Sequence, residues 1–408
     1  MNTALIAASA LFAAVELVWP TAEKAVALVP PVQKKVMAIA TYEERLEMFQ
    51  KDLKNGKVMR HDKFWGRAEP LILKWRATAG EEGPWRIDLG RRRDLSDARV
   101  EYAKSLEANA DGVFVYELPR ANLLLGETYY WRVTSSATCK KGWHGRKCDC
   151  KDRPVSVISA TGSFTTEDIA PRWIEIEGTT RNFRDLGGWK TVDGREVRQR
   201  LAYRCQGLNS NSPDFEIAGR NRLTVEDVKY LTGKDGLRIK TDLDLRSKEE
   251  TAGMNGVSPL GEKVKFIHHS SQCYDGIFTE AGKATMAKNF RVFVDKANYP
   301  IVFHCIGGAD RTGSLAYVLN GVLGVSRHDL ETDWEQTFYP RSLPELRPDW
   351  KPPWSATNKY WCHEYHFNEG FAKYGKPGDS WNRRIELYLL DCGITPEEIA
   401  TFRSIMLK

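Results

Sequence analysis

The chain has 408 residues, of which 42% are hydrophobic and 28% charged, and a net charge of +6. This length exceeds one ordinary domain, so two folded units are expected, and the composition is ordinary for a soluble globular protein. The mild positive charge fits an anionic substrate and a plain solvated surface equally well; no nucleic-acid motif is present, and Arg91-Arg92-Arg93 is too short to make one.

In chain order, Ala4 to Trp19 is apolar except for Glu16, and Pro20 and small residues up to Ala25 follow. The stretch reads as a signal peptide (residues 1–25) with cleavage near Ala25, although no Lys or Arg precedes it. An uncleaved anchor and a buried helix are the alternatives. A secreted or periplasmic location follows from the first reading and a cytoplasmic one from its failure; no later stretch is apolar enough to span a membrane. Residues 30–60 read as a helical lead-in, with Thr41 and Glu44 spaced as a capping box ahead of Leu46 and Phe49.

Residues 61–168 have a β texture. Strands are expected at Leu71–Trp75, Val113–Tyr116, Thr128–Val133, Val155–Ala160 and Gly162–Thr165, separated by polar turns. Trp75, the stretch LLLGETYYWRV and the closing GSFTTED resemble a fibronectin type III domain. The resemblance implies an all-β sandwich without chemistry of its own, suited to a cell-surface, carbohydrate or protein partner. Within this region Cys139, Cys148 and Cys150 cluster in TCKKGWHGRKCDCK, where two of them can close a disulfide loop; the spacing with His144 fits no common zinc pattern.

Ile169-Ala170-Pro171 reads as a linker, and strands then alternate with helices through residues 172–408. Strands are expected at Trp173–Ile176, Arg200–Arg204, Leu237–Leu245, Val264–His268 and Tyr299–His304. Helices are expected after Thr224 and at Thr285–Ala297, Arg311–Leu323, Ser326–Thr337, Trp381–Leu390 and Thr395–Leu407. This alternation implies an α/β domain with a mostly parallel central sheet covered on both faces. Phe338 to Ser380 breaks the pattern, being rich in Pro and aromatic residues; its His363-Glu364-Tyr365-His366 does not match a helical zinc motif.

The chemistry centres on PIVFHCIGGADRTGS. A buried strand, Ile301–Phe303, ends at His304-Cys305; a loop of Ile306, Gly307, Gly308, Ala309 and Asp310 follows; a helix opens at Arg311-Thr312. Such a loop turns its backbone N–H groups inward beside the positive end of a helix and binds a phosphate dianion. The same field stabilises a thiolate, which makes Cys305 the nucleophile. Arg311 grips two phosphoryl oxygens with its fork, Thr312 hydrogen-bonds the thiolate as it leaves, and His304 orients the loop.

The stretch satisfies H-C-x-x-G-x-D-R-T-G and resembles the cysteine-dependent protein tyrosine phosphatases. TTRNFRDLGGWKTVDGREVRQRLAYRCQGL and TDLDLRSKEE extend the resemblance to the bacterial group marked by N-F-R-D-L-G-G and D-L-R-S-x-x-E. Two departures stand out: the group's phosphate-loop Lys is Ala309 here, and its Ser after Tyr-Arg is Cys205. Two residues compete as general acid, Asp275, 30 residues before Cys305 in SSQCYDGIF, and Asp310 inside the loop. Arg184, Asp185, Asp244 and Arg246 read as loop-holding residues. The expected reaction is hydrolysis of a phosphomonoester, foremost protein phosphotyrosine, through a phosphocysteine and without cofactor or metal. The alternatives are a phosphoinositide or inositol polyphosphate phosphatase, a sulfurtransferase, and a surface binding protein with a relic phosphatase domain.

Overall fold

In the computed structural model, Val15–Trp19 forms the first strand, β1, although the sequence reading places it in a leader. The structure describes residues 15–41, 44–45, 47, 67–77, 84–135, 159–178, 180–209, 223–251, 254, 256–337 and 363–408. Two units share the chain: Met1–Ala27 with Pro70–Asp168, and Leu28–Glu69 with Ile169–Lys408.

The first unit continues with β2 (Ile72–Ala77), β3 (Trp85–Gly90), β4 (Arg99–Ala103), β5 (Val113–Glu117), β6 (Thr128–Ser135) and β7 (Gly162–Thr165). They form two sheets, ordered β1-β2-β5 and β4-β3-β6-β7, in which every pair is antiparallel. Period-2 alternation builds the core: Trp75 and Phe114 from one sheet meet Trp85 from the other, with ring centroids 5.7 Å apart for Trp75–Trp85 and 5.0 Å for Trp85–Phe114. The Tyr129 hydroxyl accepts the Leu124 N–H at 2.9 Å, bracing the entry to β6. Cleavage near Ala25 would remove β1, which is paired with β2 from Val15↔Ala77 to Trp19↔Lys74. β3 and β4 are not among the expected strands, although Trp85, Ile87 and Leu89 of β3 alternate with Arg86 and Asp88 at the period of a strand.

The second unit begins with α1 (Pro31–Met37); of the expected capping box, the Thr41 hydroxyl accepts the Glu44 N–H at 3.3 Å, while the same hydroxyl donates to Glu44 Oε2 at 2.9 Å. It continues with β8 (Arg184–Asp185), β9 (Ala202–Cys205), α2 (Val225–Thr232), β10 (Thr241–Asp244), β11 (Lys265–His268), a 3-10 turn (Tyr274–Phe278), α3 (Glu280–Val294) and β12 (Ile301–His304). Five helices close it: α4 (Asp310–Leu323), α5 (Arg327–Gln336), α6 (His363–Ala372), α7 (Trp381–Asp391) and α8 (Pro396–Met406). The sheet order is β11-β10-β12-β9-β8, with the first four strands parallel and β8 antiparallel at the edge. β9, β10 and β12 are buried along their whole length because both faces are covered. Val302 joins a cluster with Tyr203 and Leu231 of α2, whereas Phe303, pointing the other way, meets Phe293 of α3 at 5.5 Å.

Three details differ from the expected pattern. The helix expected from Thr285 starts five residues earlier, because the Thr279 hydroxyl accepts the Gly282 N–H and caps it. Trp173–Ile176 supplies only an isolated bridge, Trp173↔Arg184. Within the stretch expected to be irregular, His363–Ala372 is helical. Cys139, Cys148, Cys150, His144 and residues 338–362 lie outside the described residues, as do the side chains of His363 to His366. Among the described residues, no helix is long and apolar enough to cross a membrane.

Candidate active site

The parallel strands β9, β10 and β12 end in register, pairing His304 with Cys205 and with Asp244. Ligand sites in open α/β sheets form beyond such carboxyl ends. Here Cys305 leaves the sheet, only 1% exposed, and residues 305–309 turn directly into α4. The turn needs Gly308: its φ is 62°, and a Cβ there would lie 2.5 Å from the Cys205 carbonyl oxygen. Ile306 is half-buried, and Gly307 and Ala309 are buried beside it, so the loop backbone is held within the unit.

His304 is fully buried. Its Nε2 lies 3.0 Å from Asp242 Oδ1 and its Nδ1 3.3 Å from the Cys305 carbonyl oxygen. Burial opposes charge on the ring, but Asp244 and Asp242 outweigh it and hold the imidazole above its usual pKa. The ring therefore ties the carbonyl of Cys305 to the carboxylates at the end of β10. Arg246 is buried too and grips Asp244 through its Nε and a terminal nitrogen, while another terminal nitrogen reaches the Asn209 carbonyl at 2.8 Å.

Arg311 stands at the start of α4 and donates two parallel hydrogen bonds to Glu250, at 2.5 and 2.9 Å. Burial disfavours its charge, but Glu250 and Cys305 overcome this and raise its pKa further. The same pairing with Arg311, working against burial, holds the Glu250 carboxyl below its usual value. Two of the five guanidinium N–H groups are used in this fork, which leaves three for a ligand. The Thr312 hydroxyl is buried and, among the described residues, has no hydrogen-bond partner.

The structure treats the two acid candidates differently. Asp310 accepts the Tyr274 hydroxyl, and the Tyr274 N–H reaches Ser314 Oγ at 3.1 Å, so the 3-10 turn is docked on the first turn of α4. Tyr274 adopts φ 57°, an unusual backbone conformation for a bulky residue, to make both contacts. Asp275, next on that turn, is exposed. Two further thiols, Cys273 and Cys205, are perturbed by their surroundings. Burial, aided by Asp310, pushes Cys273 up to about 12, and burial pushes Cys205 well above the usual thiol value. Among the described residues, no group of three or more His, Cys, Asp or Glu could hold a metal ion.

The residues singled out from the sequence, His304 through Thr312, thus come together around one turn, with Asp275 exposed on the 3-10 turn that Tyr274 docks against it. Sequence reasoning gave no role to Asp242, Glu250, Tyr274 or Ser314. Glu250 closes the D-L-R-S-x-x-E stretch, a signal that was available; Tyr274 carries none.

No curated protein sequence matches the chain. Among solved structures, the core catalytic domain of the PP-IP phosphatase SIW14 from S. cerevisiae, in complex with citrate, is similar at 19% identity and a TM-score of 0.24, over 36% of this chain and 80% of that one. So loose a superposition adds nothing to the geometry above. The profile of the tyrosine phosphatase family, however, matches residues 174–408, more than half of the sequence and all of the loop region. The chain belongs to the tyrosine phosphatase family.

Proposed function

We propose that this phosphatase hydrolyses phosphomonoesters through a phosphocysteine at Cys305, with aryl phosphates of the phosphotyrosine type as its preferred substrates. One observation carries the reading: a buried cysteine at a strand end opens a tight loop, and the first turn of the next helix presents Arg311, already oriented by Glu250. The backbone N–H groups of Ile306 to Ala309 and the free N–H groups of Arg311 take the phosphoryl oxygens. The Cys305 thiolate attacks phosphorus and the ester oxygen departs with a proton. Water then attacks the phosphocysteine, and the Thr312 hydroxyl stabilises the returning thiolate.

Asp310 is the proton donor in this scheme. A general acid must be held at a fixed place. Tyr274 holds Asp310, whereas Asp275 is exposed and, among the described residues, has no hydrogen-bond partner to direct it. The aryl preference is supported by Ala309, a buried methyl where the resembling group carries Lys, so the loop lacks a cation that would favour polyphosphorylated head groups such as inositol polyphosphates.

For the first unit we propose a fibronectin type III-like sandwich that binds or spaces, in an exported protein. The three- and four-stranded sheet orders, the Trp75–Trp85–Phe114 contact and the Tyr129 brace support it.

The test is turnover of p-nitrophenyl phosphate, phosphotyrosine and phosphoserine peptides and an inositol polyphosphate by the purified chain, with and without EDTA. The reading expects EDTA-insensitive release of phosphate, kcat/KM highest for the aryl esters, and acid-quenched label on Cys305. Turnover without label on Cys305 overturns the mechanism. A higher kcat/KM for the inositol ester overturns the preference.

A further inference from the structure

The Gly308 carbonyl is held by two donors. Asn182 Nδ2 and a terminal nitrogen of Arg204 each reach it at 2.9 Å. The peptide is planar and trans, so a carbonyl drawn to the outside of the loop turns the N–H of Ala309 to the inside. The position of this one oxygen therefore sets the direction of a phosphate-binding N–H group.

Both donors lead back to the same place on α5. The second terminal nitrogen of Arg204 donates to Asp333 Oδ2 at 2.7 Å, and Arg184 Nε donates to Asp333 Oδ1 at 2.9 Å. Arg184 also donates to Asn182 Oδ1, orienting that amide so that its nitrogen faces Gly308. The Thr337 hydroxyl accepts from both guanidiniums at 3.1 Å, and the Asp333 carbonyl accepts from Arg184 at 2.6 Å. Burial works against charge on Asp333, but Arg184 and Arg204 prevail and hold its carboxyl below the usual value. Two like-charged guanidiniums lie side by side and buried here, an arrangement that needs a shared carboxylate.

We infer that Asp333 is a positioning residue for the phosphate loop: through Arg204, and through Arg184 and Asn182, it fixes the Gly308–Ala309 peptide with its N–H towards a bound oxyanion. The inference rests on the phosphatase reading for what the loop binds, and it gives the Asn and Arg of the N-F-R-D stretch a function without contact to substrate.

The experiment measures inorganic tungstate binding by calorimetry and kcat/KM for p-nitrophenyl phosphate in the full chain. Asp333→Asn keeps the shape but removes the charge shared by the two guanidiniums. It is expected to weaken tungstate about tenfold and kcat/KM about 10²-fold. Thr337→Val, a gentler loosening of the same clasp, shifts both in the same direction by about two- to fivefold. Glu335→Gln is the structural control. Glu335 lies on the same helix as Asp333, and the change loosens its buried ion pair with the distant Arg45; it is expected to lower Tm while leaving tungstate affinity unchanged. A folded Asp333→Asn protein that binds tungstate like the parent overturns the inference. If that variant fails to fold, unchanged affinity in Thr337→Val does so. A parent protein that binds tungstate but hydrolyses no phosphomonoester refutes the phosphatase reading instead, and leaves the tungstate arm to decide on Asp333.

Discussion

The two units bury different kinds of large side chain. In the first, the largest fully buried groups are Trp75, Trp85 and Trp131; in the second they are mainly arginines, Arg45, Arg184, Arg204 and Arg246, with Trp334 and Tyr203. Burying an indole removes apolar area from water and stabilises the fold directly. A buried guanidinium stabilises little in net terms, because desolvation offsets most of its ion-pair energy. Three of the four arginines instead fix groups around the phosphate loop: Arg204 donates to the Gly308 carbonyl, Arg184 orients the Asn182 amide that donates to the same carbonyl, and Arg246 holds Asp244 beside His304. Aromatic burial marks a unit selected to stay folded. Paired charge burial marks one selected to hold a geometry.

The comparison breaks most visibly at Cys305. Cys305→Ser is expected to lower kcat by about 10⁴-fold or more while tungstate still binds, because the loop and Arg311 remain. Stopped-assay phosphate release together with calorimetry checks both halves, and near-normal kcat in the variant rejects the nucleophile.

A second test separates the acid candidates. Asp310→Asn is expected to slow an alkyl phosphate, whose leaving group needs a proton, by about 10²–10⁴-fold. p-Nitrophenyl phosphate, whose leaving group is stable as an anion, should suffer far less. Asp275→Asn should change neither substantially. The reverse pattern across a leaving-group series would transfer the role to Asp275. Tyr274→Phe, which removes the hydroxyl bonded to Asp310, should show the same leaving-group dependence as Asp310→Asn in weaker form.

What was legible in the sequence follows from the same contrast. His304 to Thr312 form one contiguous loop, so the motif displays its chemistry in a single line. Of the buried parallel strands only β12 is legible as an apolar run; β9 carries Arg204 and β10 carries Asp242 and Asp244, buried charges that break the pattern. The partners were not legible. Glu250 meets Arg311 across 61 residues and Tyr274 meets Asp310 across 36, and neither separation has a local period to reveal it. Asp333 sits on a helix whose charges, DLETDWEQ, resemble a solvated face, although Leu330 to Gln336 are buried. β1 was hidden for a different reason: its Val-Glu-Leu-Val-Trp belongs to an apolar stretch that leader and strand share.

On the aromatic side, Trp85→Ala is expected to cost about 3–5 kcal/mol in the first unit, through lost burial and the cavity left against Trp75 and Phe114. Urea unfolding followed by tryptophan fluorescence should show this loss, while kcat/KM per folded molecule stays at the parent value. A fall in kcat/KM without unfolding would mean that the aromatic core also shapes the active site.

The smallest expected effect is a pH dependence centred on His304, whose two ring nitrogens lie 3.0 Å from Asp242 and 3.3 Å from the Cys305 carbonyl. Both neighbours are acceptors, so only the doubly protonated ring satisfies both. Burial opposes that charge, and Asp244 and Asp242 override it, so the folded-state pKa lies above the ordinary value of about 6.5. Below that ordinary value folded and unfolded chains both carry the proton, and the stabilisation is complete. As pH rises further, the unfolded chain releases its proton first, and stability declines until the folded ring has also deprotonated. The slope cannot exceed about 1.4 kcal/mol per pH unit. In a Cys305→Ser background, urea unfolding from pH 6 to pH 9 should show this decline, and an added His304→Gln change should flatten it. Parallel profiles with and without His304 would show that the ring is neutral in the folded protein and that the carboxylates of β10 hold the loop without its charge.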